Sequence, residues 1–142
     1  MTTMFDDVHV FRKTMQLPIG DTPHLLRATE VSYFARFIME ELSEFLRANE
    51  EGNLVKAADA LVDLTYVAMG GAHAMGLPFN DLWKVVHAAN MRKQPATALY
   101  RSVRGNQYDV VKPADWVAPE AAMQAIIDTH IKLRKLNKHE HE

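Results

Sequence analysis

The chain has 142 residues, with 16 basic and 18 acidic side chains, a formal net charge of −2 and no cysteine. Those totals suit a single domain with its own apolar core and exclude disulfides and thiolate zinc sites. They point to a reducing, cytoplasmic setting and lack the basic excess of a nucleic-acid binder. The opening stretch, Met1 to Lys13, has neither the basic head nor the apolar run of a secretion signal. The longest weakly charged stretch, Ala57 to Met75, carries two aspartates and is short for a membrane span. A soluble protein without membrane or nucleic-acid partners is expected.

In chain order, Val8 to Met15 reads as a short helix. Pro18, Gly20, Asp21 and Pro23 make Gln16 to His24 a loop. A long helix is expected from about Leu25 to about Asn49, where Val31, Phe34, Ala35, Ile38, Met39, Leu42, Phe45 and Leu46 keep helical spacing. Gly52 and Asn53 supply a stop and a start, and a third helix runs from Leu54 to about Met75, ending at Gly76. Within it, Gly70-Gly71 reads as a place of close helix packing. Pro78 and Asn80 open a fourth helix, which Pro95 closes. Leu99 to Arg104 and Tyr108 to Val111 flank Gly105-Asn106 as a β-hairpin. A last helix is expected from Pro119 to about Leu136. One domain thus covers residues 1–136, and the polar tail 137–142 reads as disordered.

The residues that invite chemistry are acidic. Glu40, Glu41 and Glu44 stand together on the long helix. With Leu42 at the centre of the apolar stripe, Glu41 falls at about −100°, Glu44 at about −160° and Glu40 near 160°. They lie off that stripe, on a side that also holds Tyr33 and Phe37. On the third helix, Asp59 and Asp63 are the only charges between Ala57 and Met75. Apolar residues surround that helix nearly all the way round, so it is expected to be buried centrally. Buried carboxylates are rare unless paired or metal-bound, and no lysine or arginine on this stretch is available to pair with them. Five convergent carboxylates without histidine or cysteine would select magnesium, manganese or calcium. The competing reading is a solvated face in which Arg36 or Arg47 pairs with Glu40 or Glu44.

Taken together, Arg36 to Glu44 (RFIMEELSE), Ala58 to Val67 (ADALVDLTYV), Gly70 to Gly76, Val86 to Lys93 (VHAANMRK) and Lys112 to Trp116 (KPADW) resemble the MazG-like, all-α nucleoside triphosphate pyrophosphohydrolases. That superfamily also includes phosphoribosyl-ATP pyrophosphohydrolase and dimeric dUTPases. The resemblance runs from about Val8 to Pro119. It implies an all-α, MazG-like bundle of four to five helices with a small C-terminal β-hairpin, assembled as a dimer or tetramer. It implies Mg²⁺, or Mn²⁺, as cofactor and a nucleoside triphosphate as substrate. Glu41 and Glu44 match the metal-binding Glu-x-x-Glu pair, Glu40 the acid before it, and Asp63 the aspartate of the second acidic motif. Position 60 is alanine where that motif has glutamate. Asp59, one residue earlier, is the substitute on offer, and its shorter reach leaves metal count and geometry open.

Asn90 and Lys93 match positions that steady metal or phosphates, and Phe37 with Tyr33 would face a nucleobase or a partner subunit. Arg101, Arg104 and Lys112, on the expected hairpin, are further phosphate contacts or ordinary surface charge. The reaction implied is (d)NTP to (d)NMP and pyrophosphate, with a carboxylate of the Glu40, Glu41, Glu44 group activating water. A strict phosphoribosyl-ATP activity is the runner-up, and a non-catalytic helical interaction module the third reading. A di-iron bundle wants Glu-x-x-His pairs, and neither Glu41 nor Glu44 has a histidine three residues on. A DNA-binding helix-turn-helix would need a basic recognition face, which is missing.

Overall fold

The computed structural model describes residues 2–139. Its contacts divide the chain into two units. One comprises the chain up to Phe79 and from His130 on, the other Asn80–Thr129. The elements in order are α1 (Met4–Thr14), α2 (Ala28–Glu50), α3 (Leu54–Ala74), α4 (Phe79–Asn90), β1 (Gln94–Pro95), β2 (Val110–Val111) and α5 (Glu120–His139). The architecture is all-α with one small antiparallel pair near the C-terminus, as expected.

In the first unit the helix ends are set by local chemistry. Thr3 and Asp6 close a capping box, with the Asp6 amide donating to Thr3 Oγ1 at 3.2 Å and the Thr3 amide to Asp6 Oδ2 at 2.8 Å. That box starts α1 at Met4 rather than at Val8. At the head of α2 the Arg27 amide donates to Glu30 Oε2 at 2.9 Å, and the Arg27 side chain pairs with the same carboxylate. Asn53 caps α3, its Oδ1 accepting the Lys56 amide at 3.1 Å. Gly52 before it and Gly76 after α3 both take φ of +66°, the left-handed conformation that ends a helix cheaply only at glycine.

α2 packs along α3, and α1 rests on α3. The segment between α1 and α2 is fastened to the end of α3: the Gly20 amide donates to the His73 carbonyl at 2.9 Å and the His24 amide to the Met75 carbonyl at 3.0 Å. The approach is so close that a Cβ at Gly20 would stand 2.7 Å from the Ala74 oxygen. Under that end His73 is buried, stacked on Phe5 at 3.6 Å between ring centres and hydrogen-bonded to the Phe5 carbonyl.

Not all of α3 is covered. Asp59 and Asp63, expected to be buried, are exposed in this chain. Leu54, Val55, Leu61 and Val62 around them are exposed as well. The helix is apolar on more sides than α1 and α2 can shield.

In the second unit the antiparallel pair is in register Gln94↔Val111 and Pro95↔Val110. The strands are therefore not Leu99 to Arg104 with Tyr108 to Val111. Leu99 and Val103 are almost fully exposed, so that run has nothing apolar to pack on. A local network closes the loop instead: Asp109 accepts from Ser102 and is paired with Arg104 at 2.6 Å. Gly105, with φ +67°, makes the turn. α5 continues to His139, three residues beyond the expected Leu136, so residues 137–139 are helical. The rest of the expected tail lies outside the described residues. Among the described residues no helix is long and apolar enough to cross a membrane.

Candidate active site

The face that α2 turns inward carries Phe34, Phe37, Ile38, Glu41, Phe45 and Ala48, all buried or half-buried at helical spacing. This revises the expected geometry. Leu42, taken as the centre of the stripe, is 45% exposed, whereas Glu41 is only 7% exposed. α2 has two apolar rows, and the row that holds three phenylalanines buries more area and wins the inner position. The second row, with Val31, Met39, Leu42 and Leu46, faces outward. Glu41 and Phe37 are thereby placed on one wall, four residues apart on the same face.

That wall borders a cavity of about 460 Å³ enclosed by α1, α2, α3 and the segment after α1. The size is that of a small-molecule site. Glu41 and Asp63 line it from α2 and α3, Phe37 and Tyr66 stand beside them, and Arg12 and Gly70 line it too. The Phe34 ring lies over Gly70 and Gly71, where an added Cβ would stand 3.8 Å and 3.6 Å from it, ordinary contact distances. The tighter approach is that of Arg12 Nη1 to Gly70, at 3.2 Å from such a Cβ.

The electrostatics single out Glu41. Its carboxyl is pushed above the usual range by burial first, then by the carboxylates of Asp63, Glu44, Glu40 and Asp59. Four other carboxylates therefore act on Glu41 in the folded chain. The surface-pairing alternative is not realised. Among the described residues the ion pairs are Arg27–Glu30, Lys84–Asp81 and Arg104–Asp109, none of which touches the five acids. Arg36 turns back to donate to the Ser32 carbonyl at 3.3 Å. Among the described residues no three acidic or histidine side chains are drawn into a metal cage. The donor type, carboxylate oxygen only, suits a hard divalent cation, and a cation would relieve the crowding at Glu41.

The other expected site residues lie in the second unit. Lys93 and Lys112 converge on Trp116, with ammonium groups 5.7 Å and 4.4 Å from the ring centre. Trp116 is held by its indole N–H, which donates to the Ala89 carbonyl at 2.8 Å. Asn90 is exposed at the end of α4, and its carbonyl accepts the Lys93 amide at 3.0 Å. Arg101 is exposed on the 96–109 loop rather than on the hairpin strand expected to hold it, and Arg104 is occupied by Asp109.

Sequence reasoning passed over Arg12 and Tyr66. The signal for Arg12 was present: it stands four residues from Val8 on the apolar side of α1, where a charge is out of place.

The all-α frame that carries this acidic group is consistent with the MazG-like, all-α nucleoside triphosphate pyrophosphohydrolase superfamily. Within it, the family model for phosphoribosyl-ATP pyrophosphohydrolase matches residues 8–90, more than half of the chain, and the chain belongs to that family. No curated protein matches it significantly. Membership implies a hydrolase of the pyrophosphohydrolase kind, and the matched span holds all five carboxylates, Arg12 and Asn90.

Proposed function

We propose that the protein hydrolyses a nucleoside triphosphate to the monophosphate and pyrophosphate, with Mg²⁺ or Mn²⁺ as cofactor. The observation that carries this reading is Glu41: a buried carboxyl, crowded by four others, without a cationic partner among the described residues, on the wall of an aromatic cavity. Asp63, Glu44 and Asp59, with Glu41, would hold the cation. When bound, the ion supplies Lewis-acid polarisation of phosphate oxygens and a more acidic water.

The chain's own residues do the rest. A water attacks the α-phosphorus, the bond from that phosphorus to the α–β bridging oxygen breaks, and pyrophosphate leaves. The water's proton passes to a carboxylate of the Glu41, Glu40, Glu44 group. Phe37 and Tyr66 give the nucleoside an apolar seat and limit water around it. Lys93, Lys112, Asn90 and Arg101 are assigned to the polyphosphate on their chemistry. For the two lysines, their convergence at Trp116 adds support.

The outward rows on α2 and α3 (Leu42, Leu46, Leu54 and Val55 among them) support assembly as a homodimer or homotetramer, since single chains rarely expose so much contiguous apolar surface. The cytoplasmic nucleotide pool is the setting proposed. A second reading, phosphoribosyl-ATP as substrate, is favoured by the description of the family that matches. Both substrates yield pyrophosphate. The test is a panel of NTPs, dNTPs and phosphoribosyl-ATP with Mg²⁺ or Mn²⁺, reading pyrophosphate. Glu41→Gln should lower kcat by roughly 100-fold or more, the scale for loss of a catalytic acid–base group. Orthophosphate as the sole product, or full activity in that variant, would refute the proposal.

A further inference from the structure

Arg12 is a charged side chain in an odd place. It is 7% exposed, and none of the ion pairs among the described residues involves it. One edge of its guanidinium is used: Nε donates to the Pro18 carbonyl at 3.1 Å, and Nη2 donates to the same oxygen. Nη1 finds no acceptor among the described residues, and Arg12 lines the aromatic cavity. Gly70 makes room for it, since a Cβ there would stand 3.2 Å from Nη1.

The cavity therefore has two chemically opposed parts. Glu41 and Asp63 provide the acidic one. Arg12, against Gly70, provides the other, seven residues further along α3 than Asp63. Seven residues of helix span ~10 Å, a length that suits a nucleoside with its base at one end and its phosphate at the other. Tyr33, Phe34, Phe37 and Tyr66 line the cavity, which suits a flat ring rather than a second anion.

We propose that Arg12 reads the base, and that its open Nη1–Nη2 edge selects a keto base (guanine, uracil or thymine) over the amino bases adenine and cytosine. A guanidinium has donors only. Guanine offers O6 and N7 as adjacent acceptors, and thymine and uracil offer O4. Adenine and cytosine present an amino donor at the corresponding position, which meets the guanidinium donor to donor. The tether to Pro18 fixes the plane and direction of the fork before any ligand arrives, so little is lost in ordering it. This inference rests on the nucleotide reading above, and it sets the second reading, whose substrate carries adenine, at a disadvantage.

The experiment uses the full chain in Mg²⁺. Binding of the α,β-imido analogues of GTP, UTP, ATP and CTP is measured by calorimetry, and pyrophosphate release from the natural nucleotides in parallel. The wild type should favour GTP, with two adjacent acceptors, over ATP and CTP by roughly tenfold or more, the discrimination a bidentate arginine gives, and should favour UTP, with one acceptor on that edge, by a smaller factor. Arg12→Lys and Arg12→Gln should bring that ratio close to one, mainly through weaker binding of the keto bases. If either variant melts far below the wild type, Gly70→Ala takes its place. The added methyl displaces Nη1 and keeps the Pro18 tether, so the ratio should fall in the same direction.

Selective binding without hydrolysis would uphold Arg12 and overturn the pyrophosphohydrolase reading. Hydrolysis of all four bases at similar efficiency would overturn Arg12 and leave the activity standing. A preference for adenine, an equal loss on every base in the variants, or no nucleotide binding at all would also overturn the proposal.

Discussion

Glu41→Gln should make the metal-free protein more stable while ending its activity. Glutamine keeps the shape and removes the charge. In the wild type the Glu41 carboxylate is buried and faces four other carboxylates, with no cationic partner among the described residues. A like-charge neighbour on a helix costs roughly 0.2–0.5 kcal/mol, and solvent screens the exposed members of the group. Two or three effective neighbours give a gain of about 1 kcal/mol for the variant, the size of a stabilising change at a functional site. For a chain of this length that is a rise in Tm of roughly 3–5 °C. The assay is a thermal melt in chelator at neutral pH, repeated with excess Mg²⁺ and at falling pH.

The sign with pH follows from the raised pKa. The cost of ionised Glu41 is absent below the ordinary glutamate value of 4.5 and grows as pH rises through its higher folded value. The gain in the variant should therefore vanish in acid. Mg²⁺ should stabilise the wild type more than the variant. A variant less stable than the wild type in chelator, or a gain that persists unchanged in acid, would refute the crowded-carboxylate argument.

Other expectations concern the frame. Gly20→Ala should cost roughly 1–3 kcal/mol, because its Cβ would strike the Ala74 oxygen at 2.7 Å; a denaturant titration reads this. Leu42→Glu with Leu46→Glu should convert the proposed oligomer to monomer, read by sedimentation equilibrium. Glu30 is held at about 2 by the Arg27 side chain and amide. Its contribution to the α2 start is present above pH 4.5 and is lost as pH falls through about 2, and the Glu30→Ala chain should lack that acid transition in far-ultraviolet dichroism.

What the sequence made legible was local. Asn53, Gly52 and Gly76 mark helix ends through chemistry that involves only their near neighbours, and the structure uses all three that way. The positions of the acids along α2 and α3 were equally plain. Which face they occupy was not. Two apolar rows on α2 compete, and helical periodicity cannot say whether the row with Leu42 or the row with Phe37 and Phe45 turns inward. The burial of Asp59 and Asp63 was misjudged because an apolar helix was assumed to be covered by its own chain. The β-pair was misplaced because Leu99 and Val103 look like strand residues but meet no second layer. Arg12 escaped notice because its role depends on Pro18 and Gly70, and the link to Gly70 spans 58 positions.

The clasp between Gly20, His24 and the end of α3 has a dynamic consequence. A helix terminus normally frays because its last carbonyls face water. Here the His73 and Met75 carbonyls each receive an amide from the segment after α1. That segment also carries Leu17 of the cavity wall and the carbonyl that holds Arg12. The last turn of α3 and this strap can open only together. Their amides should exchange with deuterium as one cooperative unit, at one rate, slowed when the cavity is filled. Occupancy of the cavity would then be visible as protection at Gly20 and His24, two backbone positions that need not touch the ligand.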